Sequence, residues 1–140
     1  MTTNTLVKNL IGVNKVKVNN ASFKADDKGV KKIIVEVEPH KNIQWRCPYC
    51  NDGKKLPKYD SCAHLKSWRG LDCGGVLVEI QSATRRVSCP VHGVVTAAVP
   101  WAFPDSRFTK DFDLSIAWLS RTLNKSAISE YMRISWATVG

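Results

Sequence analysis

The chain has 140 residues, 44% of them apolar and 24% charged, with a formal net charge of +9. That length supports one domain or two small ones around a modest core. No apolar run nears the roughly 20 residues of a membrane span. Five irregularly spaced cysteines and no secretory leader argue against a disulfide framework and for a reducing cytoplasm. The basic excess is five charges in residues 1–50, three in 51–100 and one in the remainder. It points toward nucleic acid and a nucleoid-associated location, although lysines kept for solubility give the same excess.

Residues 1–45 read as β strands. Val13, Lys15 and Lys17 alternate with Asn14, Val16 and Val18. After a turn at Asp26-Asp27-Lys28-Gly29 comes the run Ile33-Ile34-Val35-Glu36-Val37-Glu38.

Two matched clusters then dominate the stretch 46–100: Cys47-Pro48-Tyr49-Cys50 and Cys89-Pro90-Val91-His92. Each offers two soft donors from one tight turn, and together they supply the four ligands of a closed tetrahedral zinc site. The proline fixes one φ angle in each turn. Gly93 tolerates the positive φ that closes the second turn, and Asn51-Asp52-Gly53 has a turn-forming role after the first. Four protein ligands leave no position for water, so this Zn²⁺ would be structural. The alternatives are buried thiols with a surface histidine, or a ligand set in which Cys62-Ala63-His64 contributes. Cys62 and Cys73 otherwise read as small buried hydrophobes, with no feature that activates a thiol. Between the clusters, Val76, Val78 and Ile80 alternate with Leu77, Glu79 and Gln81. The expected architecture is a zinc ribbon in which this hairpin carries the second ligand pair back to the first, and Asn51–Gly75 forms a long loop.

Residues 105–140 read as helical. Thr109 is a candidate N-cap, Asp111 and Asp113 occupy the favoured first turn, and Phe112, Ile116, Leu119 and Leu123 recur at helical spacing. Asn124 and Lys125 break the run. Ser126 can cap a second helix through Met132 that turns Ile128 and Tyr131 inward, and a third helix opens at Trp136. This is a helix-turn-helix pattern, although a three-helix bundle shares its periodicity. The fold class expected is α+β: N-terminal strands over 1–45, packed on or extending from a small zinc-ribbon-like domain over 46–100, then a helix-turn-helix over 105–140 cut short in its third helix.

The order Cys-Pro-x-Cys, Trp68-Arg69-Gly70-Leu71-Asp72, Arg85-Arg86-Val87-Ser88-Cys89-Pro90-x-His92-Gly93, Pro100-Trp101-Ala102, Thr109 and Ile134-Ser135-Trp136-Ala137-Thr138-Val139 resembles the start of an ISL-family insertion-sequence transposase. The likeness runs from about Arg46 to the C-terminus. It implies that Cys47, Cys50, Cys89 and His92 bind zinc and that the helical part engages the inverted repeats at the element's ends. Histidine stands where the family usually has a fourth cysteine, which makes the site more acid-sensitive. The family's catalytic domain is of the DDE type. Here Asp60, Asp72, Asp105, Asp111 and Asp113 lie in turns or at a helix cap, where solvated or capping roles account for them. The chain is therefore expected to bind double-stranded DNA without cutting or joining it.

Lys54, Lys55, Lys66, Arg69, Arg85 and Arg86 are the candidate phosphate contacts. Arg133, Ser135, Trp136 and Thr138 are the candidate readers in the major groove. Two other classes share these features: a zinc-ribbon protein-interaction module, including a regulator that joins its own kind or a full-length transposase, and an enzyme whose metal keeps an open position.

Overall fold

The computed structural model describes residues 2–50, 53–59 and 63–135. Helix α1, Thr3–Ile11, comes first. The Thr2 hydroxyl accepts from the Thr5 amide at 3.2 Å, and Gly12 ends the helix in the left-handed region at φ 69°. Val7 and Ile11, one helical turn apart, pack on the core. The expectation of strands throughout residues 1–45 misses this helix, because nine residues bearing only a partial apolar stripe give little periodic signal.

Strands β1 (Val16–Ala25) and β2 (Lys31–Pro39) form the expected hairpin. Its turn is held by the Asp26 carboxylate, whose Oδ1 accepts from the amides of Lys28 at 2.9 Å and Val30 at 2.8 Å, while Gly29 supplies φ 80°. Strand β3 occupies His64–Cys73, inside the stretch expected to be loop. Polar residues and Gly70 mask its alternation, yet Trp68 and Gly70 are both buried on one face.

Strand β4, Val76–Thr84, pairs antiparallel with β3 and parallel with β2, giving the sheet order β1-β2-β4-β3. It is therefore central, and it is not the hairpin that carries the second ligand pair. That hairpin is β5 (Arg86–Cys89) with β6 (Gly93–Thr96). Strands on both sides of residue 45 thus share one sheet.

The register places Val35 and Trp68 on either side of Ile80. These three side chains, with Val16, Val18, Val37 and Trp101, form the main core. Trp101 meets Trp68 edge-on, with ring centroids 5.2 Å apart at 80°.

Helices α2 (Lys110–Leu119) and α3 (Lys125–Met132) close the fold. Thr109 caps α2 as expected, accepting from the Phe112 amide at 3.4 Å. The α3 cap is Asn124 rather than Ser126, its Oδ1 accepting from the Ala127 amide at 2.8 Å. Asn is at least as good an N-cap as Ser, and starting there gives Lys125 and Ser126 helical positions. Ile128 turns inward, whereas Tyr131 lies 72% exposed. Leu123 falls in the turn after α2 and is also exposed. Phe112, Ile128 and Met132 form a second core with Phe108, Ile116, Leu119 and Ile134. Phe108 stacks on Phe112 at 4.5 Å. The third helix expected from Trp136 lies outside the described residues.

Ile80 has no exposed surface and contacts the main core from the middle of the sheet. Ile80→Ala is expected to lower the unfolding free energy by about 2–5 kcal/mol, measured by urea denaturation; a loss below about 1 kcal/mol would contradict its central position.

Candidate metal centre and helix-turn-helix

Cys47 and Cys50 lie in the loop that follows a short 3₁₀ turn at Lys41–Ile43. Cys89 ends β5 and His92 precedes β6, with Gly93 at φ 75° completing that turn. The two loops are stitched together by main-chain bonds. The Ala98 amide donates to the Arg46 carbonyl at 2.8 Å, Ser88 to Pro57 at 3.0 Å and Tyr59 to Arg86 at 2.9 Å, while Leu56 donates to Trp45 at 2.8 Å within the first loop itself. Lys58 forms an antiparallel bridge with Val87, so the segment after the first cluster flanks β5.

The donor atoms of Cys47, Cys50, Cys89 and His92 all lie within 4.8 Å of one another. The His92 Nδ1 is 3.5 Å from the Cys47 sulfur, 3.3 Å from that of Cys50 and 3.6 Å from that of Cys89; the Cys50 and Cys89 sulfurs are 3.7 Å apart. Metal–sulfur bonds of about 2.3 Å and metal–nitrogen bonds of about 2.0 Å in a tetrahedron place sulfurs about 3.8 Å apart and sulfur and nitrogen about 3.5 Å apart. The four residues can therefore hold one metal ion. Cys47 and Cys89 are buried, Cys50 is half-buried and His92 is exposed.

The thiols differ in acidity. The backbone N–H of His92, assisted by that of Val91 and opposed by burial, brings Cys89 down to about 6. Burial and then hydrogen bonds with the neighbouring thiols push Cys50 up to about 12. Cys89 is thus the donor whose thiolate the fold itself prepares. Tyr49, between the first two ligands, tilts its ring against His92 at 5.4 Å and donates its hydroxyl to Asp105 Oδ2 at 2.5 Å. That hydrogen bond raises the Tyr49 pKa. Cys73 is half-buried in β3, and Cys62 lies outside the described residues.

The basic residues divide into two groups. Lys54 and Lys55 are exposed before the segment that flanks β5. Arg86 lies 4.9 Å over Tyr59, and Arg85 lies 5.7 Å over the Trp45 ring, which Lys58 also covers at 4.4 Å. Lys66 is exposed on β3.

Arg69 and Arg133 have internal partners. Arg69 donates to the Arg133 carbonyl at 2.5 Å and the Met132 carbonyl at 2.7 Å, and it covers the Phe112 ring at 5.2 Å. It thereby satisfies carbonyls at the C-terminal end of α3. Arg133, in the left-handed region at φ 56°, donates through Nη2 to Asp72 Oδ2 at 2.5 Å and to the Gly75 carbonyl at 3.1 Å. The turn after α3 is closed by the Ile134 amide donating to Ser129 O at 3.1 Å and by the Ser129 hydroxyl donating to Ile134 O at 2.6 Å. These two arginines clasp the helix pair to the β3–β4 turn, with Asp72 as their shared counter-ion. Sequence reasoning missed this role, since an arginine that binds carbonyls looks the same as one that binds phosphate. Ser135 is exposed just beyond, and Trp136 and Thr138 lie outside the described residues.

The two parts together, a hairpin and loop that bring four soft donors within reach of one metal ion and a pair of capped helices clasped to the sheet, define the class of fold: an α+β protein with a candidate metal centre beside a helix-turn-helix segment. Residues 97–140 match the family model for the helix-turn-helix domain of transposase family ISL3. Along 137 residues, 96% of the chain, the sequence is 40% identical to the transposase for insertion sequence element IS1557 in two strains of Mycobacterium tuberculosis, CDC 1551 / Oshkosh and ATCC 25618 / H37Rv. The chain spans 30% of the length of these relatives. The chain is thus similar to part of these insertion-sequence transposases, and its residues 97–140 are similar to the ISL3 helix-turn-helix domain. No solved structure matches it. Among the described residues no helix is long and apolar enough to cross a membrane.

Cys50→Ser and Cys89→Ser are each expected to abolish uptake of one equivalent of soft divalent metal, while Cys73→Ser retains it, by elemental analysis after dialysis against zinc. Metal loss in Cys73→Ser would overturn the ligand assignment. Asp72→Ala should cost about 1 kcal/mol at low salt and less at high salt, because the clasp is partly exposed. Thermal melts at two ionic strengths test this, and a salt-independent difference would contradict an ionic clasp.

Proposed function

We propose that this chain is a DNA-binding portion of an insertion-sequence transposase, held in shape by one structural Zn²⁺ and directed at the inverted repeats of its element. The observation that carries this reading is the helix-turn-helix match over a segment that folds as two capped helices clasped to the sheet. The name of the relatives supplies transposition as the context. Three thiolates and one imidazole in tetrahedral array are the donor set zinc prefers, and a complete set of protein ligands suits a structural ion. Zinc would neutralise the thiolate charge and lock the two ligand loops together.

In this reading Lys54, Lys55, Lys66, Arg85 and Arg86 supply phosphate contacts, and the segment from Ser135 through Trp136 and Thr138 opens the reading helix. Arg69 and Arg133 act by holding α3 at a fixed angle to the sheet, and their bonds to carbonyls and to Asp72 support that assignment. A second reading is self-association, favoured by the exposed Leu114, Trp118 and Tyr131 on α2 and α3. Sedimentation as a monomer at all concentrations, with and without DNA, would remove it.

Fluorescence anisotropy with duplexes carrying the element's terminal repeats tests the main proposal. Binding should weaken steeply with salt, and Arg85→Ala with Arg86→Ala should lower the slope of log K against log salt by about 2. Chelation of zinc should unfold the hairpin and abolish binding. Equal affinity for repeat and scrambled duplexes would refute inverted-repeat recognition, and retention of binding after complete zinc removal would refute the structural role of the metal.

A further inference from the structure

The space between the metal hairpin and the start of α2 is a cleft of about 990 Å³. Its lining runs from Tyr49 through Lys66 on β3 to the loop Phe103–Arg107 and Lys110. Buried Trp68 and Ala102 form part of the wall, so the cleft stands on the main core.

Three cations from three parts of the chain reach this cleft. Lys66 and Arg107 are exposed, and among the described residues their side chains make no hydrogen bond or ion pair. Lys110 lies 5.5 Å over the ring of Phe103, which is itself 41% exposed. The acid in the lining, Asp105, already accepts from the Tyr49 hydroxyl.

The backbone that carries these cations is fixed. The Arg69 amide donates to the Arg107 carbonyl, and the Thr109 amide to the Arg69 carbonyl, each at 2.9 Å, so this segment extends the sheet edge. The Lys110 amide is held by the Trp101 carbonyl at 2.8 Å. Lys66 stands about 10 Å before Arg69 along β3. Cations spread over that length, beside an exposed ring and in an open cleft, suit an extended polyanion rather than a single small anion.

We propose that this cleft seats the phosphodiester backbone of duplex DNA, with Lys66, Arg107 and Lys110 as phosphate contacts. This rests on the DNA-binding reading above and adds Arg107 and Lys110, which the sequence did not single out. It makes the cleft the bridge by which one duplex touches the metal hairpin and the helices together.

The test uses the zinc-loaded full chain and a fluorescein-labelled duplex of arbitrary sequence, titrated across a range of salt. The triple variant Lys66→Ala, Arg107→Ala, Lys110→Ala should lower the slope of log K against log salt by about 2 to 3, at about 0.9 per phosphate. Arg107→Gln and Lys110→Gln should each lower it by about 1 while zinc content and melting temperature stay at wild-type values; these single variants decide the matter if the triple variant misfolds. Lys24→Ala with Lys31→Ala, on the β1–β2 hairpin, serves as a control with an unchanged slope. Cleft variants that keep the wild-type slope, or a control that loses as much, would overturn the cleft while leaving the DNA-binding reading in place. A wild-type chain that binds no duplex would overturn both.

Discussion

The parallel pairing of β2 with β4 determines where almost everything else lies. Glu36 faces Gln81 in that register, so Pro39 and Thr84 leave the sheet at the same end and nearly the same height. A short connection follows each strand: one leads to Cys47 and Cys50, the other to Cys89 and His92. Four soft donors that are distant in sequence converge because two adjacent strands run the same way. Parallel neighbours need a long crossover, and this chain fills it with the first ligand loop and β3. The candidate metal centre is therefore an outgrowth of the sheet, and residues before and after the clusters form one structure.

At the opposite edge β3 performs the corresponding task for the helices. Its main chain pairs with residues 107–109, and Gly70 lies against that contact: a Cβ there would press on the neighbouring Val78 side chain at 3.3 Å but meet that of Thr109 at an ordinary contact distance of 3.6 Å. Arg69 and Asp72 then reach the end of α3. The helix pair has a small core of its own, in which Phe112 and Ile128 are both about 1% exposed. The sheet supplies the rest of its support. A helix pair of this size gains a fixed orientation mainly through tertiary contacts.

The parts of this structure legible in the sequence were those written in local chemistry. Cys-Pro-x-Cys and Cys-Pro-x-His single out four candidate ligands, which the structure brings together, because spacing and donor type are both specific, and Thr109 with Asp111 and Asp113 marks a helix start within a single turn. Asp26 to Gly29 is similarly self-contained. Nonlocal features were illegible. The alternating run at Val76–Thr84 reads correctly as a strand, but nothing in it says that its partners are β2 and β3 rather than the ligand loops. Arg69, Arg133 and Asp72 looked like surface charges because residue type does not distinguish a carbonyl or carboxylate partner from a phosphate. Tyr131 followed the helical period and still faces out, since the second core closes on Ile128 and Met132.

Tyr49 illustrates what such an arrangement means for the molecule as a mechanical object. It lies between two of the four candidate ligands, rests its ring on a third, and holds by its hydroxyl a loop residue, Asp105, that itself adopts φ 63°. The following loop leads directly into α2. The four-donor cluster and the placement of the helices are therefore connected in series through one side chain. A displacement of the ligand loop would be delivered as a tilt at the helix entrance, and strain on the helices would be felt at the coordination shell. The phenol works as a tie rod between two modules that sequence alone would have drawn as beads on a string.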